Sequence, residues 1–143
     1  MPYRYLEDIA TADAAFEAWG ATREEMFAAA ADALANVMVA RLSTIEPVHE
    51  IEIRLEHTEL DLLLFAFLQE LIYLKDARQL LLRAPSPAII EINSTLSLHA
   101  MARGEEIDLE RHVMIVDVKA VTLHRFLVEH RAGAWRATVI LDI

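Results

Sequence analysis

Leu60, Leu63, Leu64, Phe67, Leu68, Leu71 and Ile72 recur at three- and four-residue steps. That helical period gives an apolar face so broad that the helix must lie mostly buried. Thr58 is placed to cap it. The unbroken apolar run inside it, Leu62 to Leu68, is far shorter than the ~20 residues that cross a bilayer, so the helix is expected to bury itself in protein. A second helical pattern precedes it. Thr22 and Glu25 form a capping box, and Phe27, Ala30, Leu34, Val37 and Met38 follow at the same steps, predicting a helix over Arg23 to Val39. The Ala28 to Ala31 run within it favours helix and allows close packing.

Outside these helices the period shortens to two. Extended segments are expected at Tyr3 to Leu6 and at Ala12 to Trp19, the second closed by Gly20. In the second, Ala14, Phe16 and Ala18 would face one way and Asp13, Ala15 and Glu17 the other, so both acids turn from the core. Ile45 to Glu56 alternates, with its hydrophobic side mostly at odd positions, and His57-Thr58 turns the chain. Arg83 to Ala88 is a loop because two prolines remove amide donors, and Ile89 to Ile92 is strand-like after it. Strands are further expected at Thr95 to Ala102, Val113 to Thr122, Arg125 to His130 and Trp135 to Ile143, with a loop through Arg103 to Glu106 and a hairpin turn at Ala132-Gly133. The pattern defines an α+β fold, one domain over residues 1–143 with two main helices packed on a predominantly antiparallel sheet assembly.

Composition narrows function by exclusion. Of 143 residues, 55% are hydrophobic, enough for a single core. Lys plus Arg number 13 against 23 Asp plus Glu, a formal charge of −10 that repels polyphosphate backbones. There is no cysteine, so disulfides, thiol nucleophiles and thiolate metal sites are excluded and a reducing cytoplasm fits. The charged start of the chain lacks the apolar core of a secretion signal, and a soluble cytoplasmic protein is expected. No G-x-S-x-G, H-E-x-x-H or glycine-rich phosphate loop occurs. His112 and His124 lie near acidic residues and could shuttle protons, or simply satisfy a loop or strand edge. The acids are more informative. Asp142 follows an apolar, β-branched run and stands one residue from the Ile143 carboxylate. With Asp13 it would supply the oxygens that Ca²⁺ or Mg²⁺ prefers, provided the second and last strands lie side by side.

The run from Val118-Lys-Ala-Val-Thr-Leu-His124 to Val139-Ile-Leu-Asp142-Ile143 resembles the archease family. So do Ala102-Arg-Gly-Glu-Glu106 to His112, Leu68-Gln-Glu-Leu-Ile-Tyr73 with Lys75-Asp76, and Thr11-Ala-Asp13 through Ala18-Trp-Gly20, covering nearly the whole chain. The resemblance implies an activator of the RtcB-type tRNA-splicing RNA ligase, not itself an enzyme, that promotes the ligase's guanylylation and multiple turnover. It would meet tRNA only through the ligase and no membrane. It implies a divalent cation, Ca²⁺ or Mg²⁺, held by Asp13, Asp142 and Ile143, the residues that the strand reading singles out. The chain departs from the family where a His usually precedes the T-A-D element: here Ala10 follows a lead-in longer by two residues. Glu59 stands where the family often carries an Asp, as a ligand or an outer partner of the cation. Lys119 matches the lysine of the family's K-A-V-T element; a contact to the ligase and an ion pair with Asp117 on a shared strand face are both open to it. A small hydrolase or transferase using an acid and a histidine, and a general chaperone-like interaction module, are the alternatives.

Overall fold

The computed structural model describes residues 2–7 and 13–143. In chain order the elements are β1 (Tyr3–Tyr5), β2 (Ala14–Gly20), α1 (Arg23–Met38), a 3-10 turn (Leu42–Thr44), β3 (His49–His57), α2 (Leu60–Arg78), β4 (Leu80–Arg83), β5 (Ala88–Ile92), β6 (Thr95–Glu106), β7 (Ala120–Arg131) and β8 (Ala134–Asp142). They form two antiparallel sheets, one ordered β1-β2-β8-β7 and one ordered β3-β6-β4 with β5 also on β6. The expected α+β class holds. No helix among the described residues is long and apolar enough to cross a membrane.

The helices touch both sheets, α1 reaching β2 and β8 on one side and β4 and β5 on the other, and α2 reaching β7 on one side and β3, β4 and β6 on the other. A helix covered on two sides needs small residues where backbones approach, and α1 buries Ala29, Ala30, Ala31, Ala33 and Ala35. Phe27 stacks on Phe67 at 5.8 Å between ring centroids, joining the helices at the core. The start of α1 is set by its cap. Thr22 Oγ1 accepts the Glu25 amide at 3.1 Å, and the Glu25 carboxylate accepts the Ala21 amide at 2.8 Å. Gly20 is required just before it, since an added Cβ would lie 2.5 Å from Glu25 Cβ and 2.8 Å from Met26 N. Val39, expected to end the helix, is already extended and bridges Met114.

Several expected boundaries move for physical reasons. The second strand begins at Ala14 among the described residues, while Ala12 lies outside them. The strand expected from Ile45 begins at His49, after a 3-10 turn and the donorless Pro47. Thr58 does not cap α2: Glu59 holds the cap position with no side-chain cap bond, and its amide donates to His57 Nδ1 at 3.2 Å. The expected loop at Arg103–Glu106 is strand, the continuation of β6 against the unanticipated β4. Gly104 is there for closeness rather than for a turn, since an added Cβ would lie 1.7 Å from Leu81 O. The Ala132-Gly133 hairpin is present, both residues at positive φ (54° and 76°) between the paired Arg131 and Ala134. An unanticipated hairpin of the same kind turns at Asn93 and Ser94. Residues 113–119, expected as strand, carry only the Val39–Met114 bridge, and β7 begins at Ala120. The two strands expected on either side of Leu123-His124 are one, interrupted by a register shift between Thr122 and Leu127 with Arg125 at φ 53°.

Candidate functional site

The condition on which the cation reading depends is met by the topology. β2 and β8 are antiparallel neighbours in register from Gly20–Trp135 to Ala14–Leu141. One step further along that register sets Asp13 across from Asp142, and both are exposed. Phe16, Val139 and Leu141 turn inward and are fully buried, so Asp142 faces the other way, and it is exposed at the end of a face whose earlier residues Ile140 and Ala15 are still covered. The backbone of Asp142 is held from the far side by β7, where Ala120 pairs with it and the Lys119 amide donates to its carbonyl at 2.8 Å. Ile143 and Asp13 line one hollow of about 410 Å³ together with Glu7, Tyr5 and Ile115.

The donors at this strand end are all oxygen. Among the described residues no three His, Asp or Glu side chains group as a ligand set, so an ion here would draw on the two aspartates and the Ile143 carboxylate. An all-oxygen set at a solvent-facing strand end suits Ca²⁺ or Mg²⁺ and offers nothing to soft metals. Ala10 lies outside the described residues, as does Thr11. Glu59 is not brought to this group. Gln69, one residue of the same helix, accepts the Val121 amide at 2.9 Å beside the chain end. Glu59 precedes Gln69 by about ten residues, or ~15 Å of helix, in the direction away from the aspartates.

Lys119 is exposed at the edge of the site, and of its two open readings the ion pair with Asp117 is not formed. Asp117 instead meets Lys75, whose Nζ donates to Asp117 Oδ1 at 2.5 Å, Asp76 Oδ1 at 2.5 Å and the Val118 carbonyl at 2.8 Å. The strand face that Asp117 and Lys119 were to share does not exist, because regular pairing starts only at Ala120. Lys75 is 3% exposed, and its three donors have three acceptors. Burial works to lower its pKa, but the two carboxylates outweigh burial and raise it. This pin escaped the sequence reading, although a lysine four residues after Leu71 on an apolar helix face was its signal.

His112 is a structural residue. It is 2% exposed, its Nδ1 accepts the Asp108 amide at 2.9 Å, and its Nε2 lies 3.1 Å from Glu105 Oε2 and 3.2 Å from the Thr44 carbonyl. An accepting Nδ1 puts the proton on Nε2, so both ring nitrogens are committed. Glu105 is buried too, yet the Glu46 amide at 2.6 Å, Arg111 and His112 all serve its carboxylate. Burial would raise the Glu105 pKa, and these partners hold it below the ordinary carboxylate value. His124 is exposed in the β7 bulge.

Two helices between two antiparallel sheets, with an oxygen-rich end to two interior strands of one sheet, define a small α+β protein with a candidate hard-cation site. The chain belongs to the archease protein family (MTH1598/TM1083), whose family model matches residues 3–143. It is 34% identical to the protein archease of Methanopyrus kandleri, with 100% of both chains covered. It is 37% identical to that of Pyrococcus furiosus, covering 93% of this chain and 94% of the relative. The solution structure of Methanobacterium thermoautotrophicum protein 1598 superposes with a TM-score of 0.86 at 34% identity, covering 99% of each chain. The crystal structure of an archease, possible chaperone, from Thermotoga maritima shares the fold at a TM-score of 0.58 and 20% identity, covering 94% of this chain and 93% of that one.

Proposed function

We propose that this protein binds one divalent cation, Ca²⁺ or Mg²⁺, through Asp13, Asp142 and Ile143 and activates an RtcB-type tRNA-splicing RNA ligase, promoting its guanylylation and multiple turnover. The observation that supports the reading is the β2–β8 register, whose last pair, Ala14 with Leu141, adjoins Asp13 and Asp142. Membership of the archease family supports the activator role. The commitment of both His112 nitrogens to structural bonds removes one candidate base from the hydrolase alternative. At a net charge of −10 the protein acts on RNA through the ligase, and activation weakens as salt rises.

Multiple-turnover ligation by a purified RtcB-type ligase, with and without this protein, tests the proposal. Repeated turnover and faster ligase guanylylation are expected only in its presence, together with silence toward ester and phosphoester substrates when it is alone. Unchanged ligase turnover refutes the activator role. Binding to many unrelated proteins irrespective of cation would favour the chaperone-like module instead.

A further inference from the structure

The hollow beside the aspartates has apolar walls, formed by Tyr5, Val37, Ile115 and Val116, and a rim carrying Glu7, Asp13 and Ile143. Of the wall residues Ile115 is 58% exposed, and Val113, two residues before it in the chain, is 66% exposed. They are two residues apart on a stretch paired to the end of α1, where the Ile115 amide donates to Met38 O at 2.8 Å and Val113 O accepts the Ala40 amide at 2.9 Å. Side chains two apart on an extended segment share a side. The segment is tied down at both ends, by buried His112 before it and by the Lys75 bonds to Asp117 and Val118 after it. These side chains are therefore held out to solvent by a fastened backbone, and exposed apolar groups on a fastened backbone mark a contact surface.

We propose that this hollow and the Val113–Ile115 edge receive an extended segment of the ligase that presents an aliphatic or aromatic anchor next to a Lys or Arg; the inference rests on the activator role above. The anchor fills the apolar hollow, and the basic flank meets Glu7, Asp13 and the Ile143 carboxylate. A bound dication does not reverse this preference, because three carboxylates outnumber its two charges. A second copy of this chain is a poorer occupant, since it would bring the same acids of a protein with charge −10 against themselves.

The test titrates purified RtcB-type ligase against wild type, Ile115→Ser and Ile115→Lys by calorimetry in Ca²⁺, with melting curves in the same buffer. Ile115→Ser removes the apolar contact, and Ile115→Lys sets a like charge against the basic flank. Ligase binding is expected to weaken about tenfold for the serine variant, the span of a lost anchor side chain, and further for the lysine variant. The melting temperature and its rise with Ca²⁺ should persist in Ile115→Ser, because the side chain is mostly exposed. Val113→Ser provides the second variant should Ile115→Ser melt early. Serine variants that bind the ligase within twofold of wild type overturn the docking surface while leaving the activator role standing. A lysine variant that binds more tightly than the serine variant overturns the basic occupant. A wild-type protein that fails to bind the ligase overturns both this inference and the role beneath it.

Discussion

Gly104→Ala distinguishes a turn glycine from one of close approach by the sign of its effect. In a flexible loop the change removes freedom from the unfolded chain and stabilises by about 0.4–1 kcal/mol. In the folded protein Gly104 sits mid-strand between His49 of β3 and Leu82 of β4, and a Cβ there would lie 1.7 Å from Leu81 O and 2.8 Å from Leu81 C. Both obstructing atoms are backbone, so no rotamer relieves the overlap. Reaching ordinary contact requires β4 to retreat by roughly 1.5 Å, enough to lengthen its local ladder bonds beyond hydrogen-bonding range. Leu81 and Leu82 are buried, so the freed backbone groups gain no water. Losing one or two such bonds at about 1–3 kcal/mol for each group left unsatisfied gives about 3 kcal/mol of destabilisation. At this chain length that corresponds to a melting temperature lower by roughly 10 °C. Differential scanning calorimetry, paired with urea denaturation, measures both. An unchanged or raised melting temperature would show that β4 and β6 are not in the contact described.

Asp142→Asn should abolish the stabilisation by Ca²⁺ or Mg²⁺, about 2.7 kcal/mol at 100 times the dissociation constant, while changing the apo protein by no more than about 0.5 kcal/mol; a full melting shift in the variant counts against the site. Residues appended after Ile143 should remove the shift as well, because the carboxylate becomes a neutral amide, and full ligase stimulation by both changed proteins would reject the site. Lys75→Met keeps the stem but leaves the Val118 carbonyl without a donor, which costs about 1–2 kcal/mol in urea denaturation because its carboxylate partners are mostly exposed and regain water. Since the folded state raises the Lys75 pKa above 10.5, its contribution is full below that value and lost as pH climbs through the folded value. Wild type should therefore lose its advantage over Lys75→Met at strongly alkaline pH, and a constant difference would refute the pin. Glu105 behaves in the opposite sense: its lowered pKa stabilises the fold above 4.5, and the contribution is lost as pH falls through the folded value. Glu105→Gln should thus flatten the acid limb of the stability curve.

The helices were legible because their burial is written in period: the apolar steps of α1 and α2 survive contact with two sheets, and only the cap of α2 and the last residue of α1 were misassigned. Strand faces were legible where one side meets the core, as with Phe16 inward in β2 and Asp13 exposed just ahead of it. The candidate site rests on that alternation plus one further fact, the adjacency of β2 and β8, which a one-dimensional pattern does not contain. Where residues answer to distant partners, the pattern misled. Gly104 looked like a turn because its reason is the backbone of Leu81, and Asp117 looked like a strand neighbour of Lys119 because its partner Lys75 is 42 residues away. The hairpin at Asn93 and Ser94 was hidden for a different reason, since neither residue is glycine although both adopt positive φ.

β8 occupies an interior slot of its sheet, between β2 near one end of the chain and β7 next to it in sequence. The hairpin with β7 can form locally, whereas the seam with β2 must close a loop containing both helices and the whole second sheet. Loop closure of that span is slow relative to local pairing, so the seam should be among the last parts of the fold to form. Asp13 and Asp142 face each other only across that seam. The carboxylate pair therefore exists only in chains that have finished folding, and cation uptake in a stopped-flow refolding trace should lag the recovery of helix signal.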